Sequence, residues 1–161
     1  MAPRIITSAG VPNLLRVYNT LSKTIDPVTP IDPGRVRMYS CGPTVYRDAH
    51  IGNLRTYLMA DWIRRALEVQ GIVVDQVKNI TDVGHMRQEM LERGEDKVVA
   101  AAIEEGKTPA EITDFYTDRF LVDETNLNIR RARWFPKATD HVGEMVQIVE
   151  RLVENGNAYV V

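Results

Sequence analysis

The chain has 161 residues, 44% apolar and 26% charged, with 20 basic against 22 acidic side chains and a net charge of −2. That length and composition fit a soluble unit with a real hydrophobic core, and the charge balance excludes a global basic field for holding nucleic acid. One cysteine excludes an internal disulfide framework, no apolar run approaches the roughly 20 residues of a membrane span, and MAPRIITSAGVPNLLRVYNT has no signal-peptide pattern, so a cytoplasmic protein is the expectation.

In chain order, residues 1 to about 12 read as a loose leader and LLRVYNTL as a short strand over Leu14–Leu21. TIDPVTPIDPG, with three prolines, reads as a loop ending in a turn at Asp32-Pro33-Gly34. RVRMYSCG then alternates Val36, Met38 and Ser40 against Arg37, Tyr39 and Cys41, the period of a strand. From Asn53 the period becomes helical: Leu54, Leu58, Trp62, Ile63, Ala66 and Leu67 share a face until Gly71 stops the run. IVVDQVKNI is β-branched and reads as a second strand. Strand, helix, strand within about 45 residues is a βαβ unit, which favours a parallel sheet with a right-handed crossover.

The rest reads as mostly helical, with an excursion over about 84–130. Thr108-Pro109-Ala110-Glu111 joins a capping box to proline at the first helical position, and Ile112, Phe115, Tyr116, Phe120 and Leu121 form the buried face expected after it. ARWFP (132–136) is either a short strand or an extended loop. A last helix is expected from Thr139, burying Val142, Met145, Ile148, Val149, Leu152 and Val153 and stopping at Asn155-Gly156. NGNAYVV then begins what reads as a new strand, the mark of a protein represented in part.

The stretch CGPTVYRDAHIGNLRTY (41–57) sits where the first strand hands over to the helix. In a βαβ unit that loop lies at the carboxyl edge of the sheet, where α/β folds bind ligands. The helix after it offers unpaired N–H groups and a positive dipole end, a site for phosphate. Gly52 lets a ligand approach the backbone, and His50 and Asn53 can donate to phosphoryl oxygens as charge builds up. The residues thus point to nucleotide chemistry.

The same stretch resembles the first signature of cysteinyl-tRNA synthetases, class I aminoacyl-tRNA synthetases. The resemblance continues through RVYNTL, DPGRVRMY, NITDV (79–83), GEDK (94–97) and FPKATDHVGEMVQIVERLVENGNAYV, nearly the whole chain beyond residue 12. It implies an α/β fold, a Rossmann-type parallel sheet with flanking helices, forming the N-terminal half of a catalytic domain that activates L-cysteine with ATP and Mg²⁺ and passes it to tRNA(Cys). By the same resemblance Cys41 is one of four protein ligands to an active-site zinc, Gly42 and Thr81 take the cysteine, and Thr44, His50, Gly52 and Asn53 take ATP, with His50 and Asn53 catalytic. A zinc there would favour the substrate thiolate over the hydroxyl of serine, which a shape-only pocket discriminates poorly.

Two departures stand out. Asn53 replaces the second histidine frequent in that signature while keeping a neutral donor. The other zinc ligands, a Lys-Met-Ser-Lys-Ser signature and an anticodon-binding domain do not occur among these residues, so the expected partners include a C-terminal remainder of the same protein. Three other readings share the signature: a ligase handing activated cysteine to an amino sugar, a non-catalytic homologue binding nucleotide or protein, and a phosphopantetheine-type adenylyltransferase, which gives no reason for CGPTVY or NITDV. Elsewhere, His85 and His141 read as polar helix-end residues, Arg130, Arg131 and Arg133 as a solvated basic surface, and Trp62, Phe115, Tyr116 and Phe120 as core.

Overall fold

A computed structural model describes residues 15–83 and 97–160; the N-terminal leader, His85 and most of the GEDK segment lie outside them. Strands β1 (Arg16–Asn19) and β2 (Thr24–Pro27) form an antiparallel hairpin. The second of these strands lies within the stretch expected to be a loop. Its prolines are compatible with pairing because Pro27 stands at the strand's end on a two-stranded ribbon, where no further ladder bond is asked of it. Lys23, at φ 60°, takes the left-handed position that closes the hairpin turn.

β3 (Arg35–Ser40), α1 (Ile51–Val69) and β4 (Val73–Lys78) are the βαβ unit, with β3 and β4 parallel from Arg35↔Val73 to Ser40↔Lys78. Gly71, at φ 80°, turns the chain out of α1 into β4. The ARWFP segment is extended and lies along the other side of β4 through the parallel bridges Val77↔Trp134 and Ile80↔Lys137, so three chain segments run parallel with β4 in the middle. The α/β class is therefore a Rossmann-like parallel sheet with helices.

β4 decides which face is inside. Val74, Gln76, Lys78 and Ile80 are buried, and the alternate residues are not. On the inner face α1 and α3 (Pro109–Asn126) enclose Val45, Tyr57, Ile80, Phe120 and Ile129. Buried Asp61 of α1 accepts from the Arg130 amide at 3.0 Å, tying that helix to the loop after α3. α2 (Lys97–Glu105) packs on α3 through Val98, Ala101, Ala102 and Ile112. α3 starts with its capping box formed, Glu111 N–H donating to Thr108 Oγ1 at 3.3 Å and Thr108 N–H to the Glu111 carboxylate at 2.8 Å.

After a 3-10 turn over Thr139–His141, pinned by Thr139 N–H donating to buried Asp82 at 3.0 Å, comes α4 (Val142–Glu154). It forms close to the expected place, yet none of its residues is buried. Val142, Met145, Ile148, Val149, Leu152 and Val153 make an apolar stripe facing outward, contrary to their expected burial. The outer face of the sheet is similarly uncovered, with Tyr39, Val73 and Trp134 exposed.

Candidate active site

A cleft of about 340 Å³ opens at the carboxyl end of β3, lined by Cys41, Gly42, Pro43, Thr44 and Asn53, by Tyr46 and Asp48 of the connecting loop, and by Tyr57, Lys97, Tyr116 and Phe120 from the helices. This is the edge where a parallel sheet leaves its loops free to hold a ligand. Of the residues expected at the site, the structure brings Cys41, Gly42, Thr44 and Asn53 onto the cleft wall. His50 and Gly52 are exposed at the start of α1. Thr81 is half-buried and bridged to Thr44, the Val45 amide donating to Thr81 O at 3.2 Å and the Thr81 amide to Pro43 O at 2.9 Å.

His50 is the N-cap of α1. Its Nδ1 accepts from the Gly52 amide at 3.0 Å, while its own amide donates to Asn53 Oδ1 at 3.2 Å. A neutral imidazole that accepts at Nδ1 carries its proton on Nε2, so an N–H donor remains at the helix start. Asn53 has its oxygen engaged in the cap, which leaves the amide NH₂ as its available donor group. A Cβ at Gly52 would lie 2.9 Å from His50 Cε1 and 3.1 Å from its Nδ1, so a larger residue there would have to push the capping imidazole aside.

Gly42 is fixed by backbone. A Cβ at this position would lie 1.7 Å from Asn79 O, so only glycine lets the end of β3 pass so close to the end of β4. The Gly42 amide donates to Asn79 Oδ1 at 2.9 Å, and Asn79 Nδ2 donates to Thr81 Oγ1 at 2.9 Å. The NIT segment thus braces the loop that carries Cys41, whose exposed thiol points weakly at Gly42 O, 3.6 Å away.

Behind this wall lies a buried ion pair, Lys78 with Glu124, the two side chains 1% and 3% exposed. Lys78 Nζ also sits 4.9 Å from the Tyr57 ring centroid and 5.7 Å from that of Phe120. Burial raises the Glu124 carboxyl above the usual range, opposed by its hydrogen bond and attraction to Lys78. At the mouth, Arg119 holds Asp48 through two hydrogen bonds, and the Tyr116 hydroxyl donates to Glu105 at 2.8 Å.

Residues 27–161 match the tRNA synthetases class I (C) catalytic domain family. The chain belongs to that family. It is similar to the cysteine–tRNA ligase of Zymomonas mobilis subsp. mobilis, 47% identical over 142 residues, which cover 88% of this chain and 27% of that protein. The cysteine–tRNA ligase of Salinibacter ruber is 48% identical over 149 residues (89% and 29%), and that of Pyrococcus horikoshii 41% identical over 145 (90% and 28%). The chain spans under a third of the length of these synthetases.

Within this synthetase fold, the sequence signature located the cleft but left out several of its walls. Tyr57, Lys97 and the Tyr46–Asp48 loop line it, and Tyr116 and Phe120 face it as well as the core. Trp62 and Phe115, expected in the core, are 65% and 44% exposed. Arg130 pairs with Glu68, Arg133 with Asp75 while lying over Trp134, and Arg131 lies over Phe135, so these arginines are held by the fold's own groups. Among the described residues no group of three or more His, Cys, Asp or Glu side chains is placed to hold a metal. A closed zinc site takes four ligands, so Cys41 and its described neighbours do not complete one by themselves.

Proposed function

We propose that this chain is the N-terminal half of a catalytic domain, with a helical excursion over about 84–130 of which residues 84–96 lie outside the described ones, in a synthetase that activates L-cysteine with ATP and transfers it to tRNA(Cys). The observation that carries the reading is the juxtaposition of Cys41, Thr44 and Asn53 on one cleft at the start of α1, in a chain of this synthetase family. A carboxylate oxygen of cysteine attacks the α-phosphorus of ATP in line, the bond to the bridging β-phosphate oxygen breaks, and pyrophosphate leaves with its Mg²⁺. The carboxylate is already a nucleophile, so no general base is needed. His50 Nε2–H, the Asn53 amide and the N–H groups of α1 then act by positioning and by stabilising the charge that grows on the phosphoryl oxygens. Thr44 and Gly52 border the nucleotide, and Gly42 and Thr81 shape the amino-acid end. The ribose hydroxyl at the tRNA end next attacks the adenylate carbonyl and releases AMP. Zinc enters this reading only through Cys41 as one of its ligands, the others coming from the C-terminal remainder. That remainder also has a place to pack: parallel sheets are covered on both faces, and here one face and the stripe of α4 are bare. A single cysteine suits a reducing compartment such as the cytoplasm, and no described helix is long and apolar enough to cross a membrane.

The test is cysteine-dependent ATP–pyrophosphate exchange by the full-length protein, with serine as control. Exchange with cysteine alone is expected, and its absence defeats the reading. His50→Ala is expected to cut the rate more than tenfold. Because His50 also caps α1, His50→Asn serves as a control that restores a good cap without the imidazole; recovery of the full rate in that variant would assign His50 to the fold and not to the reaction.

A further inference from the structure

Tyr57 is a cleft residue that the signature chemistry leaves unused. It lies one helical turn beyond Asn53 on α1, and both line the cleft. Its ring is clamped from behind, by Lys78 Nζ over its face and by Phe120 edge-on with centroids 5.3 Å apart. A tyrosine has few torsions, and this packing fixes the place of its hydroxyl. The residue is 4% exposed, yet no described group hydrogen-bonds that hydroxyl, although a buried phenol ordinarily finds a partner. Glu124 Oε2 is the one described side-chain oxygen or nitrogen that is both sealed from solvent and without a hydrogen bond. The Tyr57 hydroxyl is unpartnered without being sealed, so the space it touches is the cleft. Burial, and then the charges of Cys41 and Glu124, push its ionisation up to about 12, so it meets a ligand as a neutral hydroxyl.

We propose that the Tyr57 hydroxyl is a substrate-binding group that accepts a hydrogen bond from the α-ammonium of the bound amino acid. The proposal rests on the amino-acid-activating reading above. Cysteine brings three polar groups to the cleft. Its carboxylate must face the α-phosphate at the His50–Asn53 end, and its thiol is a weak hydrogen-bonding group. The ammonium is the remaining strong group, a donor matched to a phenol oxygen with free lone pairs. Every α-amino acid carries this ammonium, so Tyr57 favours amino acids over analogues that lack the amine and leaves the choice of side chain to other groups.

The experiment is calorimetric titration of the full-length protein and its Tyr57→Phe variant with cysteine, with ATP, and with 3-mercaptopropionate, which keeps the thiol and carboxylate and lacks the amine. Tyr57→Phe is expected to weaken cysteine by about tenfold or more, the cost of losing one hydrogen bond to a charged group, and to leave 3-mercaptopropionate and ATP unchanged. Unchanged cysteine affinity overturns the proposal, and so does equal weakening of cysteine and 3-mercaptopropionate. Pyrophosphate exchange by the wild-type protein separates the two claims: no exchange defeats the activation reading and this proposal with it, whereas normal exchange with unaltered cysteine binding in Tyr57→Phe defeats the role of Tyr57 alone.

Discussion

The inner face of the sheet and the α4 region are built from the same kinds of residue and end in opposite states. On the inner face, Tyr57, Ile80 and Phe120 are almost wholly buried, and even a lysine and a glutamate are enclosed with them. On α4, six aliphatic and methionine side chains at helical spacing remain between 38% and 58% exposed. Apolar periodicity says that a helix has a face to cover, and says nothing of whether the cover is present. The difference teaches where this chain's stability resides: in the βαβ unit and α3 around the cleft, with α4 held chiefly by its own turn and the Asp82–Thr139 bond.

The comparison can be broken at its strongest point, the Lys78–Glu124 pair. Lys78→Met strands a buried carboxylate and is expected to cost about 3–5 kcal/mol in urea unfolding, whereas the double variant Lys78→Met/Glu124→Leu should recover most of that loss. If the single variant is as stable as wild type, the inner face is not the closed core described. Gly42→Ala is next. Its methyl group has no room against Asn79 O, and a shift of the strand ends should cost about 1–3 kcal/mol while weakening cysteine binding. On the other side of the comparison, Val149→Asp should change the stability of this chain by less than about 0.5 kcal/mol, as for a surface position, and destabilise the full-length protein by clearly more. Equal effects in both would mean that the α4 stripe is never covered.

Much of the inner face was legible. The βαβ unit, its parallel pairing, the Thr108 cap and the position of the cleft follow from period, turn residues and the CGPTVY–HIGN stretch. The Lys78–Glu124 pair was legible in principle: strict alternation through Val74, Gln76, Lys78 and Ile80 puts Lys78 inward, and Ile112, Tyr116, Phe120 and Glu124 recur every fourth residue on α3. Charge on an apolar face argues for solvent, and only the pairing of these two residues across the core reverses that argument. β2 was hidden by prolines that matter little on a short ribbon. Trp62, Phe115 and the α4 stripe were misplaced because burial depends on neighbours that local sequence does not name.

The bare stripe of α4 has a consequence in time. In a protein of the relatives' length, these apolar residues leave the ribosome well before most of the chain. At about 5–20 residues per second, a remainder more than twice as long as this chain takes tens of seconds to follow. Throughout that interval the cleft side can fold while the stripe and the outer sheet face stay wet. A nascent protein of that length would thus present an adhesive apolar surface until its later residues arrive to cover it.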